Sequence, residues 1–301
     1  MDVIVIGPVV MDITARTIAK QDTWKEKQRI EGIRLSTGGD AANQSIRLAD
    51  LDRSVATVGC VGKDQAGMLA KTALQKRGVE ISRMKESEDR ETGSSLILVR
   101  EDGERNIFSN KSAHEQIQKE DCAWIREATP KALSIASLFS VPYLEEDGLE
   151  ELLRDCRSRG ILTFADLASD KKHQGLDGIR RFLPYLDYFL PSEADALAMT
   201  CSSSPEEAAE VYLENGASCA VIKCAARGAY YSNGNECGWV PALPVEPVDT
   251  TGAGDCMAAH FIHHILNGLD LKEACRLACE AASLSTLQNG ASLTKLHLPP
   301  I

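Results

Sequence analysis

No Cys-x-x-Cys pair occurs among the ten cysteines, so neither a zinc ribbon nor a disulfide framework has the spacing it needs, and most of these thiols are expected to be reduced and buried. No Gly-x-x-x-x-Gly-Lys-Ser/Thr string is present: Gly62-Lys63 runs straight into Asp64, which removes the P-loop from consideration. A dinucleotide fingerprint fails too, because Gly252-x-Gly254 has Met257 where the third glycine belongs. Basic residues are in deficit, with 33 Lys and Arg against 44 Asp and Glu and a net charge of −11. A nucleic acid or an anionic membrane would meet net repulsion, so neither is expected as a partner, and an anionic small molecule must be held by local donors. No apolar run is long enough to cross a bilayer, and Met1 to Met11 lacks the basic start and cleavage site of a signal peptide; a cytoplasmic protein is expected.

What is present is an ordinary globular composition, 44% hydrophobic and 26% charged over 301 residues. That length suits one α/β domain with an insertion as well as it suits two domains. Short apolar runs at Val3–Val9, Val55–Val61, Leu133–Phe139, Ile161–Phe164, Tyr188–Leu190 and Cys219–Ile222 are mostly separated by helix-length stretches. This alternation predicts a mainly parallel sheet flanked by helices. Helix punctuation agrees: Ser204-Pro205-Glu206-Glu207 offers an N-cap, a proline in the first turn and a capping-box Glu, with Gly216 beyond the last turn. Gln65–Arg77 closes on Gly78, and a helix from about Leu271 to Leu287 ends near Asn289-Gly290.

Two stretches break that rhythm. Ser94–Arg100 and Arg105–Ser109 flank Glu101-Asp102-Gly103-Glu104, a type I′ hairpin signal, and Ile13–Ser36 is poor in helix logic. Together they are expected to form a small β-sheet covering a site on the main body. No repeat, low-complexity tract or linker separates two independent domains.

The i,i+4 pairs Cys275/Cys279 and His260/His264 share helix faces but have no further ligands nearby, and His260-Phe261-Ile262-His263-His264 lacks the Glu of a zinc-protease helix. The chemistry is expected elsewhere. In Val248-Asp249-Thr250-Thr251-Gly252-Ala253-Gly254-Asp255, a glycine turn feeds directly into a helical run. Such a turn gathers backbone N–H groups and the positive end of a helix dipole at one point, which attracts phosphate. Asp255 then lies beside those donors, where a carboxylate can take a proton from an attacking hydroxyl. A plain helix cap would need neither glycine. A second turn, Ser36-Thr37-Gly38-Gly39-Asp40-Ala41-Ala42-Asn43, also enters a helix, and Asn43 offers both donors and acceptors to hydroxyls.

These residues resemble the ribokinase-like, or phosphofructokinase-B-type, carbohydrate kinases over nearly the whole chain. Gly38-Gly39-x-x-x-Asn43 is similar to that family's N-terminal signature, and Asp249 through Asp255 to its C-terminal one. The resemblance implies a three-layer α/β/α fold with a β-lid: a core of residues 1–12, 37–91 and 113–301, and a lid of 13–36 and 92–112. It implies an ATP-dependent, magnesium-assisted transfer to a hydroxymethyl group of a sugar. Asp12, Gly38, Gly39 and Asn43 would bind the sugar, Asp255 would be the base, and the amides of Gly252, Ala253 and Gly254 the anion hole. Ser192, Lys223, Arg227 and Gly228 would border the nucleotide phosphates. Asp249, Thr251, Ser285, Gly290 and Thr294 resemble a monovalent-cation site, suited to potassium.

The chain departs from the family in two places. Ser192-Glu193-Ala194-Asp195 stands where the family usually has Asn-x-x-Glu near magnesium, so Asp195 or Glu193 would serve the metal through water. Ser112-Ala113-His114 replaces the Gly-Ala-Asn after the lid hairpin. Asp40, beside the acceptor site, would repel a phosphorylated sugar, which favours a neutral acceptor of ribose type. A nucleoside, fructose or 2-keto-3-deoxygluconate kinase is the alternative within the family, a non-catalytic sugar or nucleotide sensor the alternative outside catalysis. A homodimer joined through the β-lid is also expected.

Overall fold

The computed structural model describes residues 1–18, 27, 29–100, 105–110, 112–288, 290–291 and 295. Asp102-Gly103 of the expected hairpin turn and Thr294 lie outside the described residues. The strands in chain order are β1 (Val3–Ile6), β2 (Val10–Ile18), β3 (Gly32–Gly38), β4 (Val55–Val58), β5 (Cys60–Gly62), β6 (Lys85–Ser87), β7 (Gly93–Arg100), β8 (Arg105–Ser109), β9 (Ala132–Leu138), β10 (Leu162–Leu167), β11 (Tyr188–Phe189), β12 (Ala220–Lys223), β13 (Ala229–Ser232) and β14 (Cys237–Val240). Eight of them form the main sheet, ordered β14-β13-β12-β11-β10-β9-β1-β4. From β4 to β12 every pairing is parallel; β13 and β14 then close the edge antiparallel.

Both faces of this sheet are covered, which is why β1 and β9 are buried at every position. Successive side chains of β1 serve opposite layers. Ile4 and Ile6 belong to one buried cluster with Leu152 and Leu153 of the Leu149–Ser158 helix and, farther along the same layer, Ala208 and Tyr212 of the Pro205–Glu214 helix. Val3 and Val5 join Leu48 of the Asp40–Asp50 helix, Phe261 of the Ala253–Leu266 helix and Ala278 of the Leu271–Ser285 helix. The result is a three-layer α/β/α body.

Local signals account for most helix ends. Asp64 accepts from Gly67 N at 2.7 Å to start the Gln65–Lys76 helix. Ser204 Oγ accepts from Glu207 N at 3.3 Å, with Pro205 in the first turn. The capping-box reading needs one correction: Glu207 reaches past Ser204 and accepts from Ser203 N at 2.9 Å and Ser203 Oγ at 2.8 Å. Ser203's own hydroxyl supplies a second donor there, and that decides the geometry.

The remaining strands make a two-stranded pair, β5-β6, and a four-stranded sheet ordered β3-β2-β7-β8. Pairing begins at Val10↔Gly38 and Val10↔Gly93, so Asp12 lies within a strand. Leu35, Ile13, Leu96 and Phe108 are mutual partners in one row across all four strands. Leu35, Leu96 and Phe108 are 58%, 41% and 56% exposed, so this row is an apolar outer surface. Among the described residues no helix is long and apolar enough to cross a membrane.

One buried group sets an acid limit on this fold. His260, 2% exposed in the Ala253–Leu266 helix, has no hydrogen-bond partner for Nδ1 among the described residues. Burial, reinforced by His264, His263 and Arg47, pushes its pKa down to about 3. The unfolded chain therefore binds a proton between about pH 6.5 and 3 that the folded one refuses, and stability falls as pH falls through that window. By pH 5 this group alone should remove about 2 kcal/mol. His260→Gln should flatten the decline of Tm between pH 7 and 5; an unchanged slope would refute the assignment.

Candidate functional site

A cleft of about 500 Å³ opens at the carboxyl ends of the parallel strands, between the main sheet and the four-stranded sheet. This is where open α/β sheets hold ligands, because the loops leaving the strands diverge there. Its floor carries Gly39, Asp40 and Asn43 from the start of one helix and Gly252 and Asp255 from the start of another. Its roof carries Asp12, Ser95, Ile97, Ile107 and Ser109 from the small sheet. These alternate with Ile13, Leu96 and Phe108 of the outer row, as strand geometry requires.

Two glycines allow the floor to form. Gly39 takes φ 87, and a Cβ there would stand 2.5 Å from Pro8 O. Gly252 takes φ 73 at the N-cap of the Ala253–Leu266 helix, where a Cβ would meet Ala291 Cβ at 2.3 Å. As N-cap, Gly252 supplies no side-chain cap, so the helix start that carries Asp255 meets the cleft with backbone donors and the dipole. Gly38 does not line the cleft; its missing side chain leaves room for the Asp12 carboxylate, which would lie 2.1 Å from a Cβ.

Asp255 sits in the first helical turn, 8% exposed, and its Oδ2 accepts from Asn43 Nδ2 at 2.9 Å. The Lys223 ammonium lies 3.4 Å from where a Gly254 Cβ would be and pairs with Asp166. Asp40 accepts from the Ser137 hydroxyl. The carboxylates of Asp12, Asp40, Asp166 and Asp255 thus lie close together, and Lys223 is the ammonium paired within the group. Burial raises Asp255 well above the usual carboxylate range, and the charges of Asp40 and Asp166 raise it further against the pull of Asn43 and Lys223. Burial likewise raises Asp12 and, despite Lys223, Asp166, each to about 6. A base of this kind holds a proton more firmly than a solvent-exposed Asp, which suits it to removing one from an alcohol.

The other anticipated residues fall into separate groups. Ser192 caps the Glu193–Thr200 helix and bridges to Lys223; its Oγ donates to Asp195 Oδ2 at 2.5 Å. Glu193 pairs with Arg227, whose guanidinium lies 5.1 Å from the Trp239 ring centre. Gly228 has its Cα against Val240 O, where a Cβ would come within 1.9 Å. Asp249 accepts from Thr251 N and Gly290 N, each at 3.0 Å, while Ser285 Oγ donates to Ala282 O inside its own helix. Sequence reasoning missed Asp166 and Arg16. A carboxylate at the carboxyl end of the apolar run Ile161–Phe164 was a usable signal for Asp166; nothing local marked Arg16.

The chain matches the family described as pfkB family carbohydrate kinase over residues 1–297. It is 29% identical to a ribokinase of Bacillus subtilis, over 96% of this chain and 94% of that protein. It is 30% identical to a 2-dehydro-3-deoxygluconokinase of the same organism, over 78% and 76%. A solved structure of a putative Ribokinase II from E. coli, in complex with ATP and Mg2+, superposes with a TM-score of 0.83 at 25% identity, covering 97% of this chain and 94% of that one.

The carboxylate cluster makes a prediction that needs no ligand. Removing the Asp40 charge lets Asp255 lose its proton more easily, so Asp40→Asn should lower the Asp255 titration midpoint followed by carboxyl-carbon NMR. A midpoint that stays put would show that Asp40 does not face Asp255 electrostatically.

Proposed function

Since the chain belongs to the pfkB family of carbohydrate kinases, and is therefore a phosphotransferase acting on a sugar hydroxyl, we propose that it uses ATP to phosphorylate the hydroxymethyl group of a free, uncharged sugar of ribose type, with Asp255 as the general base. The observation that carries this reading is the single cleft in which Asp255, at the mouth of a glycine-led helix, faces Asp12, Asp40 and Asn43. ATP supplies the phosphoryl group and magnesium offsets phosphate charge. The residues fit an anionic phosphate: the uncapped turn at Gly252, Ala253 and Gly254 offers amides, and the Lys223 ammonium stands beside it.

In this reading Asp12, Asp40 and Asn43 accept and donate hydrogen bonds to acceptor hydroxyls, so that one oxygen points at the phosphate. Asp255 takes its proton as the oxygen attacks. Phosphoryl transfer asks little more of a protein than this positioning and charge stabilisation. Residues 13–36 and 92–112 act as the lid that excludes water from the site. Ser192, Arg227 and Gly228 border the nucleotide. Asp195 and Glu193 already have partners in Ser192 and Arg227, so service to magnesium through water would exchange one bond for another. Lys223 and Asp166 form a more buried pair nearer the turn.

Asp40 favours a neutral acceptor over a sugar phosphate. The 2-dehydro-3-deoxygluconokinase relative supports a second reading, in which the acceptor is a sugar acid; Lys171 on the cleft wall is a basic group that could meet its carboxylate. Ten free cysteines, two of them exposed, favour the reducing cytoplasm. The outer row Leu35, Ile13, Leu96 and Phe108 is the surface through which two copies would join.

ADP release measured with ribose, fructose, 2-keto-3-deoxygluconate and nucleosides should single out a neutral sugar; no ADP with any acceptor would favour a sensor. Asp255→Asn should stay folded and lose about 10²–10⁴-fold in kcat. Near-normal turnover in that folded variant would remove Asp255 from the mechanism. Light scattering should show a dimer that Phe108→Lys converts to a monomer; a wild-type monomer would end the lid-interface proposal.

A further inference from the structure

Asp249 begins the loop that leads into the Gly252 turn, and three N–H donors occupy its carboxylate. Thr251 N donates to Oδ1, and Gly290 N and Arg16 Nη2 both donate to Oδ2, each at 3.0 Å. Burial opposes ionisation here, yet the bonds from Thr251 and Gly290 and the Arg16 charge hold the carboxyl below its usual range. Arg16 comes from β2, 233 residues away in sequence. It lies four positions beyond Asp12 and so shares its cleft-facing side of the strand.

Among the described residues, which leave out Thr294, the monovalent-cation site implied by the family resemblance does not fit this arrangement. A bound cation needs oxygen lone pairs turned towards it. Here both Asp249 oxygens accept from N–H groups, one of them on the Arg16 guanidinium, and Gly290 turns its N–H to the carboxylate. The compensating positive charge is already covalently attached to the chain. A guanidinium cannot lose its proton and does not exchange with salt ions.

We propose that Arg16 is a positioning residue that replaces a monovalent cation: it neutralises Asp249, fixes the loop that shapes the anion-binding turn, and makes the enzyme indifferent to potassium. The inference rests on the kinase reading for its kinetic consequences, but not for its structural ones. Because Arg16 belongs to the small sheet, the turn is held in order only while β2 is seated over the cleft, which links the covering sheet to the phosphate site through one ion pair.

The test compares wild type, Arg16→Ala and Arg16→Lys in potassium and in tetramethylammonium chloride at equal ionic strength, by steady-state kinetics and by thermal melts without substrates. Wild-type kcat and Tm should agree between the two salts. Arg16→Ala should lose about tenfold to a hundredfold in kcat, as expected for a misplaced positioning group, with a smaller change in acceptor KM. Added potassium or guanidinium should restore much of that loss, and potassium should raise the Tm of Arg16→Ala but not of wild type. Arg16→Lys should keep most of the activity. A several-fold potassium activation of wild type would overturn the proposal, as would an unaltered kcat in Arg16→Ala or a loss that neither ion restores. If Arg16→Ala fails to fold, Arg16→Gln, which retains the stem, takes its place. A wild type inactive with every acceptor would defeat the kinase reading, while the melts would still decide whether potassium replaces Arg16.

Discussion

The hydrogen bond from Asn43 to Asp255, 2.9 Å long, joins two helix starts that lie 212 residues apart in the chain. Each start is a glycine turn with backbone donors, and each by itself is only an anion-attracting helix end. Their junction gives the cleft a floor to which the proposed function assigns two tasks, one half meeting hydroxyls and the other meeting phosphate. The bond also answers an electrostatic problem. Asp255 is buried near Asp40 and Asp166, where an ionised carboxylate is disfavoured on every count except the donation from Asn43 and the charge of Lys223.

The parts of this arrangement that were legible in the sequence are the local ones. Gly39 and Gly252 announce themselves because only glycine tolerates their left-handed backbone beside Pro8 and Ala291. Buried parallel strands read as apolar runs, and the cap at Ser204 is read from a few adjacent residues. The pairing of Lys223 with Asp166 could not be read in this way. It depends on β12 and β10 flanking β11, and strand order is a property of the whole sheet. The Arg16 contact is less legible still, since it requires the small sheet to fold back over a loop near the other end of the chain.

Side chains with one apparent purpose turn out to have near neighbours that change it. Asp195 keeps a carboxylate where a longer one is usual, and Ser192 binds it directly. Glu193 faces Arg227, which in turn covers Trp239. Charge around this edge is therefore held in local pairs, and the Lys223 and Asp166 pair lies nearest the Gly252 turn.

Arg47, buried in the Asp40–Asp50 helix, donates to Ala291 O at 2.7 Å, and Ala291 is the residue that stands against Gly252. The turn is thus buttressed by a residue fastened to a helix 244 positions away in sequence. Loss of the Arg47 guanidinium would therefore loosen the Gly252 turn from behind, although Arg47 itself never reaches the cleft.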